Sequence, residues 1–181
     1  MLFRSVIQDS RGHIYAGFKT GEIAILQDSV LVPVKYQGDL TASAVTSFKE
    51  DKQGRIWITT AGDGVFYMEG THRFHINADK GLSDNYTYSS VEDSLGRMWI
   101  GTDQGVSICT IKGRSVNIIK ISKGIPDEIV RVITKDEKGN MWLGMQEKGV
   151  CKINSSTLQI TVPPWSENWN FGQVNDILLN H

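Results

Sequence analysis

Residues 93–105 read DSLGRMWIGTDQG, and the chain repeats nearly the same words three more times. Residues 9–21 read DSRGHIYAGFKTG, residues 51–64 DKQGRIWITTAGDG and residues 136–149 DEKGNMWLGMQEKG. The leading Asp falls at positions 9, 51, 93 and 136, at intervals of 42, 42 and 43 residues. A period of about 40 to 50 residues marks a propeller or an array, not one compact α/β domain.

Each part of the repeat has a structural task. Asp9, Asp51, Asp93 and Asp136 open a tight turn, where a carboxylate accepts hydrogen bonds from backbone two residues on. Gly12, Gly54, Gly96 and Gly139 supply the positive φ that reverses the chain into a hairpin. A strand follows with an aromatic at its centre: Tyr15, Trp57, Trp99 or Trp142. A second turn ends at Gly21, Gly64, Gly105 or Gly149, and two more β-prone runs come after it. With the run before the Asp (SVIQ, AVTSFKE, YTYSSVE, VRVITK) this makes four antiparallel strands per repeat, the blade of a β-propeller.

The predicted fold is therefore all-β. Four four-stranded blades are expected at about 5–37, 44–77, 86–121 and 129–162, with the start of a fifth at 173–181. A seven-bladed ring at this period needs roughly 290 residues, so the chain is expected to be a fragment of a larger propeller. Its end blades would then present apolar faces, which favour the remaining blades or a homodimer as partners. Helix is excluded because the 18 Gly recur at turn positions and no sustained 3.6-residue apolar period appears.

Composition narrows the function. The 19 basic and 20 acidic residues nearly cancel, which argues against nucleic acid or an anionic membrane as the main partner. No apolar stretch approaches the ~20 residues of a membrane helix. The N-terminal MLFRSVIQDS has no apolar signal-peptide core, so the protein is either cytosolic or exported by a signal lying upstream. Cys109 and Cys151 read as small buried hydrophobes, and no CxxC or Cys/His cluster suggests zinc.

Two tempting sites are better explained by the frame. An aromatic at the same place in every repeat is blade-to-blade packing before it is a sugar platform. One carboxylate per separate hairpin cannot supply the six to eight oxygens of a calcium site, so neither metal nor cofactor is expected. The crossovers Asp39-Leu40-Thr41, Gly81-Leu82-Ser83 and Gly124-Ile125-Pro126 lead from one blade to the next, and Leu40, Leu82 and Ile125 are expected to plug the gaps between blades.

Specificity is expected around the channel mouth, where crossovers (38–43, 81–86, 124–129) and second turns vary over a constant frame. Those turns contribute Lys19-Thr20, Thr60 to Asp63, Asp103-Gln104 and Gln146 to Lys148. The last crossover, PPWSENWNFGQ at 163–173, departs from the others. Trp165 and Trp169 could stack on sugar rings there, with Glu167, Asn168 and Asn170 meeting hydroxyls; packing over a blade edge is the commoner use of such residues. The candidate ligand set is thus Trp165, Glu167, Asn168, Trp169, Asn170, Asp63, Asp103, Gln104 and Gln146, with an oligosaccharide as ligand. No catalytic residue is predicted: His13, His72, His75 and His181 adjoin no nucleophile motif, and phosphate-loop, HExxH and Gly-x-Ser-x-Gly patterns are absent.

The pattern Asp-x-x-Gly-x-[Ile/Met]-Trp-[Ile/Leu]-Gly-Thr, followed by a Gly, resembles the two-component regulator propeller repeat, and residues 93–105 lie close to its consensus. GLSDN and GIPDE resemble its Gly-Leu-Pro-x-Asn crossover. Four repeats match, over about residues 5–162. Tyr15 departs by replacing Trp, while Thr59 and Ala16-Gly17 blur the Ile-Gly-Thr. The resemblance implies an extracytoplasmic, typically periplasmic, sensor segment of a hybrid histidine kinase. In that family propellers detect a ligand, often a glycan fragment, while membrane helix, kinase and regulator domains lie elsewhere in the chain. Two other readings share the frame: a lyase resembling the propeller streptogramin lyases, and a protein-binding scaffold.

Overall fold

A computed structural model describes residues 3–35 and 42–179. The predicted crossover Asp39-Leu40-Thr41 and His181 lie outside the described residues. The described chain forms four four-stranded antiparallel sheets. It divides into two compact units, Met1–Thr87 and Tyr88–His181.

The first unit holds two sheets. One contains β1 (Phe3–Gln8), β2 (Ile14–Phe18), β3 (Ile23–Gln27) and β4 (Val30–Pro33) in sequence order; the other contains β5 (Val45–Glu50), β6 (Ile56–Thr60), β7 (Val65–Glu69) and β8 (His72–Ile76). Strand β9 (Thr87–Glu92) begins at its boundary. The second unit pairs β9 with β10 (Met98–Thr102), β11 (Gly105–Lys112) and β12 (Ser115–Ile121). Its other sheet is β13 (Val130–Lys135), β14 (Asn140–Met145), β15 (Val150–Asn154) and β16 (Ile160–Thr161). The two 3₁₀ turns among the described residues, Ala78–Lys80 and Pro164–Ser166, both lie in crossovers.

The predicted turns form as expected. Gly12, Gly54, Gly96 and Gly139 have φ of 88, 75, 74 and 80°. The central strands are buried on both faces: every residue of β6 and β10 is buried. In the first unit, Ile23 of β3 joins Val45, Phe48, Ile56, Ile58, Phe66 and Met68, with Tyr15 packed against them. In the second, Trp99, Val106 and Ile108 of one sheet pack with Val130, Ile133, Met141 and Leu143 of the next. Trp57 and Trp99 are 1% and 0% exposed. At ~25 cal/mol per Å2, a buried indole of about 200 Å2 contributes roughly 5 kcal/mol before entropy is subtracted. Leu82 is fully buried, and the partly buried Ile125 packs against the second unit's core. Gly101 is small for a reason: a Cβ there would sit 2.5 Å from the Val130 carbonyl, where β13 crosses β10.

The fifth blade is expected to start at residues 173–181. Residues 173–179 form no strand. The Val174 N–H donates to the Met145 carbonyl at 2.9 Å, and its buried side chain lies against Gly144. The segment thus runs beside β14, but no second strand pairs with it among the described residues. The last outer strand is also shorter than predicted. Only Lys152↔Thr161 and Ile153↔Ile160 pair, because Leu158 turns the chain at φ 59° and Pro163 and Pro164 remove the next ladder donors.

Candidate functional site

The two ends of each sheet are built differently, and that difference locates the site. At the Asp-x-x-Gly end everything is fixed. Asp93 is 0% exposed. Its Oδ1 accepts from the backbone of Leu95 and Arg97, both at 2.9 Å. Its Oδ2 accepts from Arg97 Nε at 2.7 Å and from the Trp99 indole at 2.8 Å. Burial pushes this carboxyl upward in pKa, but the hydrogen bonds from Trp99 and Arg97 outweigh it and hold it below the usual carboxylate range. With four N–H donors on two oxygens, the carboxylate's acceptor sites are used by the frame. Asp51 repeats the pattern with Arg55 and Trp57, and Asp136 with Asn140 and Trp142. Where Tyr15 replaces Trp, the His13 ring takes the second oxygen of Asp9 at 2.9 Å.

The opposite end carries the crossovers and second turns, and here the side chains vary. Asp63 Oδ2 accepts from the backbone of Ala42 and Ser43 at 3.1 Å each. The Gly105 N–H reaches the Glu128 carbonyl, and the Gln146 N–H the Ile129 carbonyl. Asp127 holds the backbone of Ile129 and Glu147 with its two oxygens. Turn and crossover therefore share one face, as the sequence predicts.

One feature of this face is not predicted. Strands β1, β5 and β13 each break register at their second residue, between Phe3 and Ser5, Val45 and Ser47, and Val130 and Val132. A β-bulge re-aims the side chain at the break. Arg4, Thr46 and Arg131 occupy it, and Tyr88 holds the same repeat position in β9. The Thr46 hydroxyl is used internally, against Thr59 and the Thr87 carbonyl. In the second unit the bulge residues meet the predicted turn residues. The Tyr88 hydroxyl donates to Asp103 Oδ1 at 2.5 Å. The Arg131 guanidinium lies over the Tyr88 ring, 4.2 Å from its centroid, and Arg131 Nε donates to Gln146 Oε1 at 2.5 Å. Asp103 and Gln146 were therefore predicted, while their partners Tyr88 and Arg131 were not. A signal existed: each partner sits five residues before its marker Asp, and each turn residue ten after it. Gln104, also predicted, is exposed beside them.

The last crossover divides its aromatics. Trp165 is 63% exposed. Trp169 is half-buried over the second turn: its ring stands where a Cβ on Gly149 would come within 2.8 Å, and its indole donates to the Gly172 carbonyl at 2.7 Å. Ser166 Oγ accepts from the Val150 N–H. A cavity of about 290 Å3 is lined by Pro126, Lys148, Val162, Ser166, Glu167 and Trp169. Asn168 and Asn170 are exposed outside that lining. Of the described histidines, His13 lies in the Asp9 turn and His72 at the start of β8, whereas His75, stacked on Phe66 at 4.2 Å, donates from Nε2 to the Asp63 carbonyl of a second turn at 2.6 Å.

Among the described residues, sixteen short strands form four sheets, each meandering in sequence order, which is the architecture of β-propeller blades. Residues 39–62 and 81–104 match the family model described as two component regulator propeller. No curated protein matches the sequence. Among solved structures, it resembles an extracellular domain described as that of a hybrid two component system from B. thetaiotaomicron: TM-score 0.71, 22% identity, covering 92% of this chain and 25% of that one. A second such domain from B. thetaiotaomicron gives 0.61 at 19% identity, covering 88% and 29%. A catalytically inactive virginiamycin B lyase from Staphylococcus aureus, solved with quinupristin, gives 0.70 at 14% identity, covering 91% and 57%. At these identities the likeness is one of fold. The chain spans about a quarter of the length of the first of these structures.

Proposed function

We propose that the chain is a non-catalytic, ligand-sensing propeller segment of a hybrid two-component histidine kinase, that it works outside the inner membrane, in the periplasm, and that its mouth face recognises an oligosaccharide. The repeat family and the likeness to extracellular domains of two component systems support the sensor. One observation carries the ligand class. The crossover that breaks the repeat presents an exposed indole, Trp165, next to a residue lining a cavity with both apolar and charged walls. Exposed aromatics beside polar groups suit the apolar faces and hydroxyl edges of sugars. A lyase would need a free acid–base group at the mouth; His13 stands at the opposite turn, and His75, at the mouth end of β8, is engaged by the Phe66 ring and the Asp63 carbonyl. The remaining blades and signalling domains of a longer chain are the partners in this reading, with a homodimer as the alternative cover for blade faces.

The test is calorimetric titration of the 181-residue chain with a panel of oligosaccharides, repeated on Trp165→Ala. Binding that falls at least tenfold in a variant of unchanged melting temperature is the expected result. Unchanged affinity in Trp165→Ala removes the site assignment, and no binding across the panel removes the ligand class.

A further inference from the structure

We infer that Arg131 forms a carboxylate-binding subsite at the mouth of the second unit, so that the ligand carries an acidic group of the uronic-acid kind. This deepens the ligand-sensing reading by naming the chemistry of its ligand. Four arginines in the described chain lie over aromatic rings, one of them Arg73, 4.4 Å from the centroid of Phe66. Arg55 and Arg97 each lie 5.9 Å from an aromatic centroid, and each is paired with a carboxylate, Asp51 at 2.6 Å and Asp93 at 2.7 Å. Arg131 lies closer to its ring, 4.2 Å from the centroid of Tyr88, and its acceptor is a neutral amide, that of Gln146. At the two Asp-x-x-Gly turns that use a guanidinium, the chain supplies the anion. At this mouth position it does not.

The geometry holds the guanidinium for such a partner. Stacking on Tyr88 and the Nε bond to Gln146 fix its plane, and no described residue accepts from the two Nη groups. A planar fork fixed in this way matches the two oxygens of a carboxylate. Of the neighbouring acids, Asp103 accepts from the Tyr88 hydroxyl and Asp127 from two backbone N–H groups, while Glu128 and Glu147 are exposed to solvent. The bulge at the Val130/Val132 register break is what brings Arg131 out of the strand's alternation to this place.

The experiment follows the Arg131 Nε–H resonance of the full 181-residue chain by NMR, assigned by its loss in Arg131→Lys. The ligands are a galacturonate oligosaccharide, a neutral galactose oligosaccharide of equal length, and acetate. The inference expects the acidic sugar to move that resonance and to bind about ten- to hundredfold tighter than the neutral one, with the preference lost in Arg131→Lys, which keeps the charge but not the fork. An unmoved resonance with both carboxylates overturns it. If the neutral sugar then still shifts the Trp165 indole signal, the ligand-sensing reading stands alone. A response to acetate and galacturonate at equal affinity supports the carboxylate subsite and removes the sugar. An acid preference that survives in Arg131→Lys overturns the assignment to this side chain.

Discussion

The indole nitrogen of Trp99 donates at 2.8 Å to the same Asp93 oxygen that the Arg97 side chain holds. Six residues of sequence separate donor and acceptor, and the bond closes the β9–β10 hairpin from inside the core. Asp51–Trp57 and Asp136–Trp142 repeat it at 2.8 and 3.0 Å. The repeated aromatic is thus not packing alone; it also satisfies the carboxylate that shapes the turn.

Replacing Asp93 by Asn tests this. The amide can keep one oxygen for the backbone, but its N–H₂ would then face the donors of Trp99 and Arg97. A loss of about 3 kcal/mol is expected in urea denaturation at neutral pH. The sign of the pH dependence follows from the depressed pKa. The carboxylate's contribution is complete above its ordinary value of 3.8 and fades as pH falls through the lower native value. The gap between wild type and Asp93→Asn should therefore narrow below about pH 4. A gap independent of pH would show that the charge is not what matters.

Two glycines with similar backbone separate strain from crowding. Gly113 has φ 59° and open space around it; Gly149 has φ 66° with Ser166 Oγ 2.4 Å and the Trp169 ring 2.8 Å from the place of a Cβ. Alanine at Gly113 should cost about 1 kcal/mol, from the backbone alone. At Gly149 about 3 kcal/mol is expected, with a change in Trp169 fluorescence, because the crossover must lift away. Equal losses at the two sites would contradict the packing described.

The two tryptophans of the last crossover should behave oppositely in thermal unfolding. Trp165→Ala changes stability by less than about 0.5 kcal/mol, whereas Trp169→Ala costs about 1–2 kcal/mol. A double substitution would confuse binding with folding, so Trp165 is the residue on which to test ligand contact.

Burial raises the thiols of Cys109 and Cys151 to a pKa of about 12. At pH 8 only about one in ten thousand of each is thiolate. Ellman's reagent should leave both unreacted in the native chain and label both in urea. Fast native labelling would mean that β11 and β15 open readily.

The sequence made the frame readable because the frame is local. Asp93, Gly96 and Trp99 lie within seven residues, and each is dictated by a turn or a packed strand. The mouth was harder. Tyr88 and Asp103 stand 15 residues apart, as do Arg131 and Gln146, and the two pairs meet only because adjacent blades pack. A bulge leaves no mark on a short strand's hydrophobic alternation, so Arg131 reads as an ordinary polar residue between Val130 and Val132. Trp169 could be named as distinctive, but its use was decided by Gly149, a residue the repeat already explained as a turn.

A strand that carries its one irregularity at an end can be rewritten there without shifting any other side chain to the wrong face. Copying such a repeat gives each descendant a private letter at the bulge, as Arg4, Thr46 and Arg131 already illustrate. A lineage of duplicated blades could then change what it detects one character at a time, and keep folding throughout.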